Sequence, residues 1–169
     1  MPRDWPRPDD PTPSERRRFR VEAILLAVVL LVALLAALPV WAKRGPVPPR
    51  GTTFTCTATA VWDGDGPIWC AEGPRIRLAN VSARERDGSC RPRAHCVATS
   101  GREARDALVM MLGGPRGTLE HGHIALQPTA LSCTSRGPDR YHRTLATCRN
   151  RRGDLGEQLI RAGKVASYH

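Results

Sequence analysis

The chain has 169 residues, room for one domain of ordinary size plus one further segment, which excludes several globular domains within these residues. Its formal net charge is +10, carried almost wholly by arginine because Lys43 and Lys164 are the only lysines. That charge argues against cationic partners and for polyanions such as nucleic acid or anionic lipid, although an arginine-rich solvated surface has the same composition.

In chain order, residues 1–20 are rich in Pro, Arg and Asp without apolar periodicity, and are expected to form a disordered cytoplasmic tail. Ala23 to Ala42 carries no charge and as a helix would be about 30 Å long, the thickness of a bilayer's hydrocarbon core. We therefore assign residues 21–42 to a transmembrane signal anchor. Arg16, Arg17, Arg18 and Arg20 precede the run, while Lys43 and Arg44 follow it, so the bias places the N-terminus inside and the remainder outside the cytoplasm. The rival reading is a cleaved signal peptide, with Val40-Trp41-Ala42 as the cleavage sequence. Either way the residues beyond the run are exported. Residues 43–51 read as a Pro/Gly linker, and residues 52–169 as the folded domain.

Within that domain, Thr53 to Trp62 alternates as a half-buried strand. Asp63-Gly64-Asp65-Gly66-Pro67 turns, Ile68 to Cys70 returns, and Arg75 to Val81 makes a third strand, giving a meander. Arg84 to Val97 reads as a polar loop. Ser100 and Glu103 have capping-box form ahead of a helix with Ala104, Ala107, Leu108, Met111 and Leu112 at helical spacing, ended by Gly113-Gly114. Gly117 to Leu126, Leu131 to Thr134 and Thr144 to Cys148 read as strands, with Arg136 to Arg143 as a turn-rich loop. On the first of these strands His121 and His123 would share a side, as a metal pair or as an exposed polar face. Asp154 and Glu157 repeat the capping pattern before a last helix that ends at Gly163. Five short strands, one helix in the middle and one at the end describe an α+β barrel of the OB type.

All six cysteines (Cys56, Cys70, Cys90, Cys96, Cys133, Cys148) come after the apolar run. An even number in an exported domain reads as disulfides, and sequence neighbours suggest Cys56 with Cys70, Cys90 with Cys96, and Cys133 with Cys148. Zinc is the alternative, although no C-x-x-C spacing occurs.

The chemistry concentrates between Val61 and Glu85: two aspartates one residue apart, an arginine within an apolar strand, and a glutamate just past it. Carboxylates suit a hard cation and guanidinium suits a phosphate, a combination fitted to phosphodiester chemistry. The segments D-G-D-G, R-I-R-L-A-N-V-S-A-R-E, D-R-Y-H-R-T-L-A and L-G-E-Q-L-I-R-A-G, in this order and spacing, resemble the staphylococcal nuclease-like, or thermonuclease, family from Thr53 to about Tyr168. The resemblance implies an OB barrel with helices packed on it, and calcium-dependent hydrolysis of DNA or RNA. It implies Asp65 and its neighbour Asp63 as metal-binding aspartates, Arg77 and Arg143 as phosphate-binding catalytic arginines, and Glu85 as the residue that orients or deprotonates water. It also implies Arg140 and Tyr141 near a terminal phosphate.

Three positions depart from the family pattern. Ser82 stands where a second metal-binding aspartate is usual, Gly66 replaces a threonine, and His142 replaces a glycine. Loss of an anionic ligand should weaken Ca2+ binding. The residues then support two main readings: a membrane-anchored extracytoplasmic nuclease with a weakened metal site, or a non-catalytic OB-fold module that binds nucleic acid or another polyanion in the cell envelope. A structural envelope domain is a third reading, resting only on the cysteines and the anchor. The expected partners are nucleic acid and, through the N-terminal helix, the membrane; nothing in the sequence calls for an obligate protein partner.

Overall fold

The computed structural model of the chain describes residues 45–90 and 95–168, together with Arg18, Glu22 and residues 24–30. The expected tail and most of the expected anchor lie outside the described residues, as do Arg91 and Arg93 of the polar loop. Residues 24–30 are helical with exposed apolar side chains, and they belong to a unit (residues 1–41) separate from the one that holds the barrel (residues 42–169). Among the described residues no helix is long and apolar enough to cross a membrane.

The barrel unit starts with β1 (Thr53–Val61), β2 (Ile68–Cys70), β3 (Arg75–Leu78) and β4 (Val81–Ser82). Helix α1 (Gly101–Met111), β5 (Pro115–Thr118), a 3-10 turn (Glu120–Gly122) and β6 (Ile124–Pro138) come next. The chain ends with β7 (Thr144–Asn150), β8 (Gly153–Asp154), α2 (Leu155–Arg161) and β9 (Ala166–Ser167). β1, β2 and β3 form the expected antiparallel meander. β3 then runs parallel to β7, β7 antiparallel to β6, and β6 antiparallel to β1. Five strands thus close on themselves, with β5 and β8 as short additions. A closed five-stranded barrel with helices is the α+β class expected, and the strand order is consistent with an OB-like barrel.

The elements form for local reasons. Ser100 accepts from the Glu103 N–H and its own N–H donates to the Glu103 carboxylate, a complete capping box that starts α1. The Asp154 side chain caps α2 by accepting from the Glu157 N–H at 2.9 Å. Ala104, Leu108 and Leu112 of the first helical stripe and Leu155 and Leu159 of the second are fully buried, in one cluster with Ile68, Ile76 and Leu126 from the barrel.

Three boundaries differ from the sequence reading. The third strand ends at Leu78, because Asn80 takes a left-handed conformation (φ 62°), which breaks a strand but suits Asn; Val81–Ser82 pair instead with β9. β6 is one 15-residue strand, Ile124–Pro138, that runs through Pro128 and takes in Arg136 to Pro138, expected from sequence to open the loop. The proline falls within the register shift of β6 against β1, where no ladder N–H is required. The segment expected as a strand from Gly117 is broken by the 3-10 turn, in which His121 has φ 64°.

Residues 45–51 lie along the barrel. The Gly45 N–H donates to the Gly73 carbonyl, Ser135 Oγ to the Pro48 carbonyl at 2.7 Å, and Arg50 Nε to the Arg136 carbonyl at 3.0 Å.

The three cysteine pairs are those suggested by sequence neighbourhood: Cys56–Cys70, Cys90–Cys96 and Cys133–Cys148. Three disulfides mark an oxidising compartment outside the cytoplasm. Cys133 and Cys148 face each other across β6 and β7 and close a loop of 15 residues. Replacing both by Ala is expected to lower unfolding stability by about 3 kcal/mol, through the entropy returned to the unfolded chain. Urea denaturation of the oxidised protein checks this, and a change under about 1 kcal/mol would show that the pair adds little.

Candidate functional site

The D-G-D-G turn joins β1 to β2 and lies under α1. A Cβ on Gly64 would stand 2.5 Å from the Ala104 Cβ and 3.0 Å from the Ala83 Cβ, so glycine lets the turn pass between helix and strand. Gly66 has φ 111°, and a Cβ there would lie 2.5 Å from the Ile76 carbonyl oxygen. A threonine at this position is therefore excluded in this geometry. His142 closes the β6–β7 turn at φ 57°, a left-handed conformation easiest for glycine but tolerated by histidine.

The turn buries both aspartates: Asp63 is 6 % exposed and Asp65 2 %. Asp65 Oδ2 accepts from the Ala83 N–H at 2.8 Å and meets Arg77 Nη2 at 2.6 Å. Arg77, also buried, further donates Nη1 to the carbonyls of Asp65 and Leu78, and Nη2 to that of Val81. The arginine is thus a brace joining the D-G-D-G turn, β3 and β4, with its charge balanced at Asp65. It does not face solvent, as an arginine on the outer face of a strand would.

Asp63 accepts from the Gly64 N–H at 2.8 Å. Burial, with the charge of Asp65 next in weight and that of Glu85 weaker, pushes its carboxyl up to about 6. Glu85 is half-buried on the loop after β4. A carboxyl whose folded value is raised binds protons more tightly when folded than when unfolded. Its contribution therefore favours folding below about pH 4 and is lost as pH rises through about 6. Asp63→Asn is expected to raise stability at pH 7 by on the order of 2–3 kcal/mol relative to wild type, and to flatten the pH dependence between 4 and 6. Denaturant midpoints measured across that range check it; parallel curves for the two proteins would contradict it.

Arg143 ends the β6–β7 turn, just before Thr144, which pairs with Ile76 of β3. Asp139 takes its Nε at 2.7 Å, its Nη2 at 2.7 Å and its backbone N–H at 2.9 Å, which fixes the guanidinium plane. Burial raises the Asp139 carboxyl, but the bonds from Arg143 and the Tyr141 N–H outweigh it and hold the group below its usual value. The Tyr141 ring is exposed, with Arg140 4.8 Å and Arg143 5.1 Å from its centroid. Arg77, Arg140, Tyr141 and Arg143 line one open cavity of about 630 Å3, with Asn80 and Tyr168 on its wall.

The residues named from sequence therefore fall in two groups that share Arg77. One is the cavity with Arg140, Tyr141 and Arg143. The other is the acidic turn, where Asp63, Asp65, Glu85 and Arg77 act on one another electrostatically. Sequence reading missed Asp139, which sets the pose of Arg143, and Asn80 of the cavity wall. An acidic residue four before Arg143 was the one available signal for the first.

Whether these groups suit a hard cation can be judged from their donors. Ser82 Oγ is buried without a hydrogen-bond partner, and Asp63, raised first by burial and next by the charge of Asp65, offers a carboxyl beside a second buried carboxylate. Oxygen donors of this kind fit Ca2+. The set is sparse: Asp65 Oδ2 is already engaged by Arg77. Among the described residues the one His/Cys/Asp/Glu trio with ligand atoms within 4.8 Å of one another is Cys56, Cys70 and Glu72, whose thiols are spent in a disulfide. His121 and His123 do not share a strand face. His121 lies exposed on the 3-10 turn, while the His123 ring packs against Trp62 and Trp69. The 3-10 turn is what breaks the alternation on which their pairing rested.

Compared with known proteins, the chain matches no family model and no curated sequence at a significant level.

Proposed function

We propose that the chain is a membrane-anchored, extracytoplasmic nuclease of the staphylococcal nuclease-like kind. It hydrolyses nucleic-acid phosphodiesters with a weakly held divalent cation. The observation that carries this reading is the convergence of Arg77 and Arg143, from different parts of the barrel, on one open cavity whose Arg77 wall is braced to the Asp65 turn. The closed barrel order supports the OB-type resemblance. The half-exposed, wholly apolar side chains at 24–30 support a helix that sits in lipid.

In this mechanism Arg143, held flat by Asp139, binds a non-bridging oxygen of the scissile phosphate and stabilises the charge that grows there. Arg77, its charge balanced by Asp65, keeps the turn in place behind the cavity wall. Arg140 and Tyr141 position the neighbouring phosphate and sugar. Glu85 takes the proton of the attacking water. Asp63, Asp65 and Ser82 would hold the cation, which when bound polarises the phosphoryl group or the water.

Glu85→Gln tests the assignment. With magnesium or calcium present, cleavage of labelled single- and double-stranded DNA by the full chain is expected to fall by at least about a hundredfold, with oligonucleotide affinity kept. Arg143→Ala should lower both cleavage and affinity. Unchanged cleavage in Glu85→Gln would remove that residue from the mechanism.

The second reading is the non-catalytic module, favoured by one observation: Asp65 already has Arg77 as its counter-ion, and Ser82 brings no charge. Salt-sensitive binding without cleavage at any divalent concentration would establish it.

A further inference from the structure

Away from the phosphate cavity, a second cleft of about 580 Å3 opens between β1, β2, β5 and the segment from the 3-10 turn into β6. Its walls are apolar and aromatic: Trp69, His123, Leu119, Leu126 and Pro128, with Arg116 at the rim. Leu119 is half-exposed and Trp69 half-buried, so the cleft shows apolar surface to solvent. The His123 ring meets Trp69 edge-on at 4.4 Å and Trp62 at 4.6 Å. Arg86 lies over the Trp62 ring at 4.4 Å, and its guanidinium nitrogens come within 3.8 Å of where a Gly122 Cβ would stand. The rings are thereby held in a fixed array.

Two features point to the occupant. Trp62 directly precedes Asp63, so the array Trp62–His123–Trp69 runs from the acidic turn to the cleft without a break. The rim also carries Arg116 together with Glu120, which offset each other. A near-neutral rim on aromatic walls selects a planar ring through its face more than a phosphate through its charge. We propose that this cleft is a stacking subsite for one unpaired nucleobase of a nucleic-acid strand, with the Trp69 ring as the stacking surface and His123, set edge-on to it, fixing its pose. The subsite rests on the nucleic-acid reading above only for the identity of its ligand. It requires neither cleavage nor a cation.

The test is binding of labelled single strands of about ten nucleotides to the full chain in chelator, comparing base-bearing with abasic oligonucleotides of equal length and charge. Wild type is expected to bind the base-bearing strand roughly tenfold more tightly than the abasic one. Trp69→Ala should bring the two affinities together, Trp69→Phe should keep part of the difference, and Arg143→Ala should weaken both strands alike. If circular dichroism shows Trp69→Ala unfolded, His123→Ala, which removes a ring from the 3-10 turn segment and not from the barrel centre, carries the comparison. Equal affinities in wild type, a contrast that survives both ring deletions, or no binding of either strand would overturn the subsite. Absence of cleavage beside an intact base-dependent contrast would instead sink the nuclease reading and leave the subsite standing.

Discussion

Arg77→Ala is expected to lower the unfolding free energy by about 3–5 kcal/mol, a large share of the stability of a domain this size. Arg77 and Asp65 form a buried pair with side chains 6 % and 3 % exposed. Deleting the guanidinium leaves the Asp65 carboxylate buried with its charge partner removed, and takes a donor from the carbonyls of Asp65, Leu78 and Val81. Breaking one side of such a pair costs far more than the pair contributes, because the other charge stays buried. Arg143→Ala should behave differently. Its partner Asp139 lies on a turn, each side chain of the pair is about 15 % exposed, and the loss should be about 1 kcal/mol. The two arginines separate by urea denaturation: Arg77 is expected to govern stability and Arg143 affinity for phosphate. A stability change under about 1 kcal/mol for Arg77→Ala would contradict the brace.

Ser82→Asp should produce the largest gain. The serine is 3 % exposed, its Oγ has no hydrogen-bond partner, and it directly precedes Ala83, whose N–H donates to Asp65 Oδ2. A new carboxylate there is a buried charge without a partner, so the variant in chelator should be less stable than wild type by on the order of 2 kcal/mol. Calcium should reverse the sign. With one more anionic oxygen the cation is held on the order of tenfold more tightly or better, and both melting temperature and cleavage rate should rise with calcium more steeply than in wild type. Paired thermal melts with calcium and with chelator read this directly. A variant that is destabilised equally in both would show that position 82 does not face a cation.

Much of the barrel was legible because its signals are local. Ser100 with Glu103, Asp154 with Glu157, and the alternation from Thr53 each determine an element through neighbours in sequence. The disulfides were legible for the same reason, since each joins adjacent cysteines along the chain. What escaped depends on contacts distant in sequence. Pairing of β4 with β9 brings Ala166 and Ser167 beside Ser82 and Val81, and together with the left-handed Asn80 it takes Val81 out of β3. Pro128 suggests a break in a strand, and the register shift against β1 absorbs it instead. At the site, residue types placed Arg77 and Asp65 near each other but did not show that they would be each other's partners. The family pattern placed Arg143 but was silent on Asp139. The aromatic array joins Trp62 just past β1, Trp69 of β2 and His123 between the 3-10 turn and β6, and no spacing in the sequence announces it.

The measurement that bears most directly on the central claim is the calcium dependence of DNA cleavage by the wild-type full chain. On this account cleavage is absent in chelator and rises without saturating until calcium reaches about the millimolar range, because the protein offers few anionic oxygens. No cleavage at any calcium concentration, while the same oligonucleotide binds and is released by salt, would contradict it and leave a nucleic-acid-binding barrel in its place.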